Sequence, residues 1–210
     1  IKDINLSFKP NKTYAFIGKI GSGKSTIGRL LLRLSEASNG EIMFNNIPIK
    51  NYTLESVRKN IGYVSQTPFL FSDTIANNVS FGNEDLIKEE IMYYLKLAKA
   101  DYVFDLTNGI DTIIGENGVS LSGGEKQRLS LARALAKKPS ILILDDITSA
   151  LDFETELEVT NNINNLDYQC TKIIIAQKII SVRNADNIYV MDNGKIIEYG
   201  SHEELIQRDG

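Results

Sequence analysis

The sequence has few cysteines, no long apolar run and no long run of like charges. It contains one cysteine, Cys170, which excludes an internal disulfide and is consistent with a reducing compartment. Its apolar runs are short, such as the four residues of 141–144 and of 173–176, whereas a membrane-spanning helix needs about 20. The 23 basic and 27 acidic residues give a net charge of −4 with no long run of either sign. A general electrostatic attraction to nucleic acid or anionic lipid is therefore not expected.

The length favours a single domain. A chain of 210 residues that is 42% hydrophobic can bury the core of one compact α/β domain with room for a smaller lobe. It has no initiator Met and no basic-then-apolar leader, and its first residues, "IKDINLSF", already alternate as in a strand. We therefore expect the chain to be a piece of a longer protein.

Hydrophobic periodicity predicts strands that alternate with helices. The predicted strands are Ile4–Phe8, Tyr14–Ile17, 61–66, Ile141–Leu144 and Lys172–Ala176. The predicted helices are Ser25–Leu34, 54–60, 84–100 and 153–166, and hairpins are predicted at Asn45-Asn46 and Asn193-Gly194. This alternation favours a mainly parallel sheet, hence the α/β class. Because no convincing strand appears between 67 and 138, we predict a helical subdomain there, inserted between core segments 1–66 and 139–210.

A glycine-rich motif follows the second predicted strand. "GKIGSGKS", Gly18–Ser25, has the form G-x-x-x-x-G-K-[ST] and lies between strand Tyr14–Ile17 and a helix, as a phosphate-binding loop requires. Its backbone N–H groups can surround phosphate oxygens, Lys24 can neutralise the β- and γ-phosphates, and Ser25 can bind Mg²⁺. The alternative is a chance match in an ordinary glycine turn, expected on the order of one per cent of the time in a chain of this length. The predicted nucleotide-binding residues here are Gly18, Lys19, Ile20, Gly21, Ser22, Gly23, Lys24, Ser25 and Thr26.

A second candidate ligand ends the apolar strand Ile141–Leu144. Asp145 lies at the carboxyl end of that strand, the edge at which α/β sheets place ligands, and its carboxylate can hold Mg²⁺ directly or through water. The alternative is an aspartate that caps the following turn or helix. A phosphate-binding loop in the same chain favours the metal role.

The segment "LSGGEKQR", Leu121–Arg128, points to a family. With it, essentially the whole chain resembles the nucleotide-binding domain of ATP-binding cassette (ABC) transporters, closest to the exporter type. The resemblance implies that Gly18–Ser25 is the Walker A loop, Gln66 the Q-loop glutamine and Ile141–Asp145 the Walker B strand. It also implies that Ser149–Asp152 is the D-loop, and the segments "LFSDTIANNVSFG" (70–82) and "GENG" (115–118) are exporter-like.

This resemblance implies a fold and a ligand set. The fold would be that of P-loop NTPases, a RecA-like, mainly parallel sheet with an N-terminal antiparallel β part and an inserted helical subdomain that carries the signature. The ligands would be ATP and Mg²⁺, with Ser25, Gln66 and Asp145 at the metal. Ser122, Gly123, Gly124 and Asp152 would add nucleotide contacts.

The resemblance also implies partners. Ser122, Gly123 and Gly124 offer donors at a helix start, which makes a second anion site in one chain. In the family, two such domains pack head to tail as a homo- or heterodimer, and each signature covers the nucleotide bound by its partner. A transmembrane domain of the same parent chain would dock on the Gln66–Val79 region. The expected location is the cytoplasmic face of a membrane, with no nucleic-acid partner.

Two positions depart from the family pattern. Where the family has Glu after the Walker B aspartate, this chain has Asp146, whose carboxylate is withdrawn by about 1.5 Å. Where the family has a switch histidine, this chain has Gln177, which cannot carry a proton. The one histidine, His202, lies in a predicted Ser201/Glu204 capping box and cannot stand in for it. With Gln66, these residues predict a weakly hydrolysing site, as in the degenerate half of a heterodimeric exporter.

Two alternatives remain open. Asp146 could serve as a working base in a catalytically competent homodimeric exporter. The chain could instead belong to a soluble ABC ATPase that acts on DNA or ribosomes, although it shows none of the coiled-coil or basic insertions typical of that class. In every case the sequence predicts an ABC-type ATPase.

Overall fold

The computed structural model describes residues 1–115, 118 and 120–208, and within them the chain forms seven α-helices and eight strands. The helices are α1 (Lys24–Leu31), α2 (Leu54–Lys59), α3 (Ile75–Ser80), α4 (Lys88–Leu97), α5 (Gly123–Ala136), α6 (Phe153–Asn164) and α7 (His202–Ile206). The strands are β1 (Thr13–Gly18), β2 (Met43–Phe44), β3 (Ile47–Pro48), β4 (Ile61–Val64), β5 (Ile141–Asp145), β6 (Thr171–Ile175), β7 (Asn187–Asp192) and β8 (Lys195–Gly200). None of these helices has the length and apolar character needed to cross a bilayer.

Six of the strands form one mixed sheet in the order β4-β5-β6-β1-β7-β8. β1 runs parallel to both β6 and β7, β5 runs parallel to β6, and β8 is antiparallel to its neighbour β7. Strands inside a parallel sheet are covered on both faces and therefore read as continuous apolar runs. Leu142, Ile143 and Leu144 of β5 are accordingly all buried. The prediction of a mainly parallel α/β sheet is confirmed.

Short polar signals set the ends of the other elements. Asn45 and Asn46 both have positive φ, of 50° and 62°, as the tight hairpin between β2 and β3 requires. The side chain of Thr53 accepts a hydrogen bond from the Ser56 N–H and caps α2, and Thr74 caps α3 in the same way. The predicted hairpins at 45–46 and 193–194 are confirmed.

The chain divides into two compact units. The first comprises Ile1–Gly62, Ser140–Asp145 and Cys170–Gly210, and the second Tyr63–Pro139 and Asp146–Gln169. In the first unit, a buried cluster forms around residues of β1, β7 and α7: Ala15, Ala176, Val182, Ala185, Ile188 and Leu205. In the second, α3 and α4 pack against α5 and bury Ile75, Val79, Leu95 and Leu129. The predicted helical subdomain at 67–138 stays a prediction.

The predicted strand Ile4–Phe8 is wrong. Its side chains do alternate in burial, and the Phe8 ring lies 4.7 Å from that of Tyr14, centroid to centroid. However, no neighbouring strand pairs with it within the described residues, so the segment packs by its side chains without a β-ladder. Other bounds differ by a few residues, because helices and strands fray at their ends. β4 ends at Val64 rather than Gln66, and α4 covers Lys88–Leu97 rather than 84–100.

Candidate functional site

Three of the predicted site residues lie at one edge of the sheet in the first unit. Gly18 ends β1, Asp145 ends β5, and Gln177 follows β6. The register aligns them, because Ile175 of β6 pairs with both Asp145 and Phe16. This carboxyl edge is where α/β sheets bind ligands.

The glycine-rich loop links β1 to α1 by a tight path. Gly18 has φ of +146°, and a Cβ at this position would collide with the carbonyl group of Met191. Gly23, the N-cap of α1, also has positive φ. Any L-residue at position 18 would therefore displace the strand that follows β1 in the sheet order.

The ammonium group of Lys24 lies inside this loop. Its Nζ donates hydrogen bonds of 2.6 Å to the carbonyl oxygen of Gly18 and 2.9 Å to that of Lys19. The other loop residues differ in accessibility: Lys19, Ile20, Gly21 and Ser25 are exposed, Ser22 is buried, and Gly23 and Thr26 are half-buried. A cation curled into an otherwise exposed glycine loop at a helix start can bind a polyphosphate.

Ser25 and Asp145 form the candidate metal site. The Ser25 hydroxyl donates a 2.9 Å hydrogen bond to Oδ1 of the buried Asp145. No group of three or more His, Cys, Asp or Glu side chains is arranged to hold a metal in the part of the chain that the structure describes. Two protein oxygens fit Mg²⁺, which takes its remaining ligands from phosphates and water. Both residues therefore fit the ion that the phosphate loop implies.

Gln177 lies in the loop after β6 and is exposed. Its amide can donate and accept hydrogen bonds but cannot carry charge. The predicted role of His202 as a helix-start residue is confirmed, because Ser201 and Glu204 form a reciprocal capping box at the start of α7.

In the second unit, Gln66 and Asp146 contact each other. The Gln66 side-chain amide donates a 3.0 Å hydrogen bond to Oδ2 of Asp146. Asp146 is buried and has φ of +52°, in the left-handed region that a non-glycine residue enters only when its surroundings hold it there. The Ser149 hydroxyl contributes by donating a 3.0 Å hydrogen bond to the Asp146 carbonyl oxygen.

The signature residues begin α5. The Ser122 side chain accepts a 3.3 Å hydrogen bond from the Glu125 N–H, and the Glu125 carboxylate accepts one of 2.7 Å from the Ser122 N–H. The capping box occupies the N–H groups of Ser122 and Glu125, so an anion at this helix start would meet those of Gly123 and Gly124. A Cβ on Gly124 would lie 2.9 Å from the carbonyl oxygen of Ala150, so the signature and the D-loop pack directly against each other within this unit.

Asp152 caps the next helix. It accepts hydrogen bonds from the Thr155 N–H (3.0 Å) and hydroxyl (2.7 Å) at the start of α6. These bonds hold the pKa of the Asp152 carboxyl below its usual value. The predicted exporter-like segment "GENG" includes Glu116 and Asn117, which lie outside the described residues.

Two contacts at these sites were not predicted. The Gln127 side-chain amide donates a 3.4 Å hydrogen bond to the backbone carbonyl oxygen of Gln66. In the first unit, the Gly194 N–H donates a 3.1 Å hydrogen bond to the carbonyl oxygen of Ser22 in the phosphate loop. The Asn193-Gly194 turn was visible in the sequence, but nothing in the sequence signals which loop it contacts.

An aromatic surface lies on the segment that contains α3. The ring centroid of Phe71 is 5.1 Å from that of Phe69 and 4.5 Å from that of Phe81. Phe69 and Phe81 are each 56% exposed. We call Phe69, Phe71 and Phe81 the phenylalanine surface; exposed apolar clusters of this kind mark interaction sites.

Comparisons with known proteins agree with this geometry. The family model for "ABC transporter" matches residues 1–149. The chain is similar to the uncharacterized ABC transporter ATP-binding protein YfiB of Bacillus subtilis, with 44% identity over 98% of this chain and 36% of that protein. It is also similar to the ATP-dependent lipid A-core flippase of Wigglesworthia glossinidia brevipalpis, with 44% identity over 100% of this chain and 36% of that protein.

A solved structure has the same fold. A bacterial Atm1-family ABC exporter with ATP bound superposes with a TM-score of 0.92 at 39% identity, over 97% of this chain and 36% of that chain. The chain therefore spans little more than a third of the length of the relatives that it matches.

Proposed function

This chain belongs to the ABC transporter family, and from that premise we propose that it is the ATP-binding domain of a membrane exporter whose own site hydrolyses ATP weakly. The observation that carries the proposal is a contrast at the end of β5. Asp145 lies next to the Ser25 hydroxyl, so both oxygens are available to one Mg²⁺ ion, whereas Asp146, shorter than the usual Glu, accepts a hydrogen bond from Gln66. The residues proposed to bind the nucleotide match the family pattern, and those that would activate water depart from it.

We infer the following roles for the residues around the nucleotide. Lys24 and the N–H groups of the loop bind the β- and γ-phosphates. Ser25 and Asp145 would hold Mg²⁺, which would neutralise phosphate charge when bound. Asp146 and Gln177 occupy the positions at which the family places its base and its switch residue. Neither has the reach or the proton of the usual Glu and His, so the site favours binding over turnover.

The proposed partner is a second ATP-binding domain. Ser122, Gly123 and Gly124 at the start of α5 would contact the nucleotide held by that partner, in a head-to-tail dimer that closes when ATP binds. Asp152 would lie at the same interface. In a heterodimer the altered residues would belong to one site only, since this chain's signature serves the other.

The proposed attachment to the membrane runs through the phenylalanine surface. Phe69 lies within the predicted docking region Gln66–Val79 and Phe81 lies two residues beyond it, and both are exposed. A transmembrane domain of the parent chain would cover them on the cytoplasmic face of the membrane. Burying exposed aromatic side chains of this size contributes a large share of the energy of an interface.

The test is nucleotide binding and turnover by the purified chain. We expect it to bind Mg–ATP and to release phosphate slowly or not at all. Lys24→Ala should abolish binding, because it removes the cation from the loop. Lys19→Ala is the matched control, since that exposed side chain lies in the same loop and its backbone N–H is retained. Rapid turnover that Lys24→Ala eliminates would instead favour a competent homodimer, with Asp146 as a working base.

A further inference from the structure

Arg133 projects from α5 and holds both ends of the segment 69–78. Its Nη1 donates a 2.8 Å hydrogen bond to the carbonyl oxygen of Phe69. Its Nε donates one of 2.8 Å to the carbonyl oxygen of Asn78, and its Nη2 one of 2.6 Å to Oδ1 of the same residue. The guanidinium is a rigid planar fork, so these three bonds fix the two ends of the segment relative to the helix.

Asn78 holds the middle of the same segment. It is fully buried, and its Oδ1 also accepts a 2.9 Å hydrogen bond from the Phe71 N–H. Its Nδ2 donates 3.0 Å hydrogen bonds to the carbonyl oxygens of Phe71 and Thr74. The Arg133 guanidinium carbon lies 5.2 Å from the centroid of the Phe71 ring, in the range of a cation–π contact. The backbone under the phenylalanine surface is thus fixed by two side chains.

The positively charged guanidinium of Arg133 is hydrogen-bonded to neutral oxygens. Its three acceptors are carbonyl and amide oxygens, not carboxylates. Burial lowers the pKa of Arg133 to about 10, which still leaves the group charged at neutral pH. Arg133 is half-buried. Moving the segment away from α5 would break its three hydrogen bonds to this cation, and hydrogen bonds to charged groups contribute more than neutral ones.

The same helix carries the signature at its other end. Ser122 is the N-cap of α5, and Arg133 lies three turns further on, about 16 Å along the axis at 1.5 Å per residue. α5 is one continuous helix from Gly123 to Ala136. A displacement of its first turn is therefore carried to the residues that Arg133 holds.

We propose that Arg133 is a positioning residue that couples the signature end of α5 to the phenylalanine surface. This inference rests on the proposed function, in which Ser122 contacts a nucleotide and the phenylalanine surface contacts a transmembrane domain. Through Arg133 and Asn78, occupation of the first site changes the position or mobility of the second. By linkage, docking at the second site changes the affinity of the first by the same factor.

The experiment measures this coupling by hydrogen exchange. The full-length transporter that contains this chain is reconstituted in lipid nanodiscs, and amide exchange is followed with and without saturating Mg–AMP-PNP. Two peptides are compared: one covers α5 and reports the signature, and the other covers residues 66–81 and reports the docking segment. In the wild type we expect AMP-PNP to slow exchange of both, by about fivefold or more, the lower range of allosteric coupling.

Arg133→Met keeps the bulk of the aliphatic stem and removes the fork. In this variant we expect AMP-PNP still to slow exchange of the α5 peptide. The exchange rate of the 66–81 peptide should be about the same with and without AMP-PNP. Arg133→Lys keeps the charge but not the planar fork, and we expect it to lose most of the same protection. If Arg133→Met fails to fold, the exchange of the 66–81 peptide in Arg133→Lys tests the inference instead.

Arg58→Met is the matched control. Arg58 likewise donates to backbone carbonyl oxygens, those of Leu32 and Arg33, but in the other unit. Arg58→Met should leave the AMP-PNP-induced protection of both peptides intact. Equal protection of the 66–81 peptide in Arg133→Met and wild type, or its loss in Arg58→Met too, would overturn the inference. A wild type that binds no AMP-PNP would overturn the proposed function itself. A wild type in which AMP-PNP protects the α5 peptide but not the 66–81 peptide would overturn only the inference about Arg133.

Discussion

The side-chain amide of Gln66 donates a 3.0 Å hydrogen bond to the carboxylate of Asp146. Asp146 is buried and its backbone is held at positive φ. A carboxylate that already accepts a hydrogen bond at one oxygen, on a strained backbone and a short side chain, has little freedom to reach an attacking water. This contact links the observed geometry to the proposed weak hydrolysis.

Lengthening the carboxylate and restoring a titratable switch residue should raise turnover. For the double variant Asp146→Glu, Gln177→His we expect kcat for ATP to increase by about a hundredfold, the rate typically lost when a catalytic group is misplaced by about 1 Å. The added methylene returns the missing reach, and an imidazole can carry a proton near neutral pH. Phosphate release under saturating Mg–ATP measures the change.

The control adds Lys24→Ala to the double variant, which should return phosphate release to background. An unchanged kcat in the double variant, with nucleotide affinity intact, would show that these two residues do not limit turnover.

The hydroxyl of Ser25 should account for the magnesium dependence of binding. In the wild type, Mg²⁺ should increase the affinity for ATP. In Ser25→Ala we expect the affinities with and without Mg²⁺ to be about equal, because the hydroxyl next to Asp145, one of the two proposed metal ligands, is gone. Ser25→Thr keeps a hydroxyl at the same position and should keep the effect of Mg²⁺. Titration calorimetry in Mg²⁺ and in EDTA gives both affinities; a Mg²⁺ effect that survives in Ser25→Ala would remove Ser25 from the metal site.

The parts of the site that could be predicted depend on neighbours in sequence. An apolar run followed by glycines predicts a strand and a phosphate loop, and an aspartate after an apolar run predicts a carboxylate at the sheet edge. The structure has β1 and the loop that begins at Gly18, and it places Asp145 at the end of β5. Ser201 and Glu204 were likewise recognisable, because a capping box spans only four residues.

Contacts between distant segments could not be predicted. Arg133 and Phe69 are separated by 64 positions, and Gln127 and Gln66 by 61; neither pair forms a local pattern. The error at Ile4–Phe8 has the same origin, since alternation predicts which side chains are buried but not whether another strand is available to pair with. The left-handed backbone of Asp146 is also invisible in the sequence, because nothing local distinguishes it from an ordinary aspartate.

Cys170 should be nearly inert in the folded chain. Burial raises the pKa of its thiol from the usual value of 9.0 to about 11. A raised pKa keeps the thiol protonated, so the reactive thiolate is about a hundredfold scarcer at pH 8 than in an unfolded chain. We expect iodoacetamide to alkylate the folded protein about a hundredfold more slowly than the protein in urea, with the rate rising as the pH approaches 11. Mass spectrometry of timed samples measures both rates, and similar rates would place the thiol at the surface.

Gly124 and Gly123 differ in the space around them, although the family pattern treats them alike. A Cβ on Gly124 would lie 2.9 Å from the carbonyl oxygen of Ala150, whereas one on Gly123 would meet the Ala150 side chain at an ordinary 3.8 Å. We therefore expect Gly124→Ala to destabilise the chain by about 1–3 kcal/mol, the usual effect of overpacking against backbone. Gly123→Ala should be neutral or slightly stabilising, since alanine favours helix by up to about 1 kcal/mol. Urea unfolding of the two variants measures the difference in the free energy of unfolding, and equal values would mean that the signature and the D-loop do not pack as closely as the structure has them.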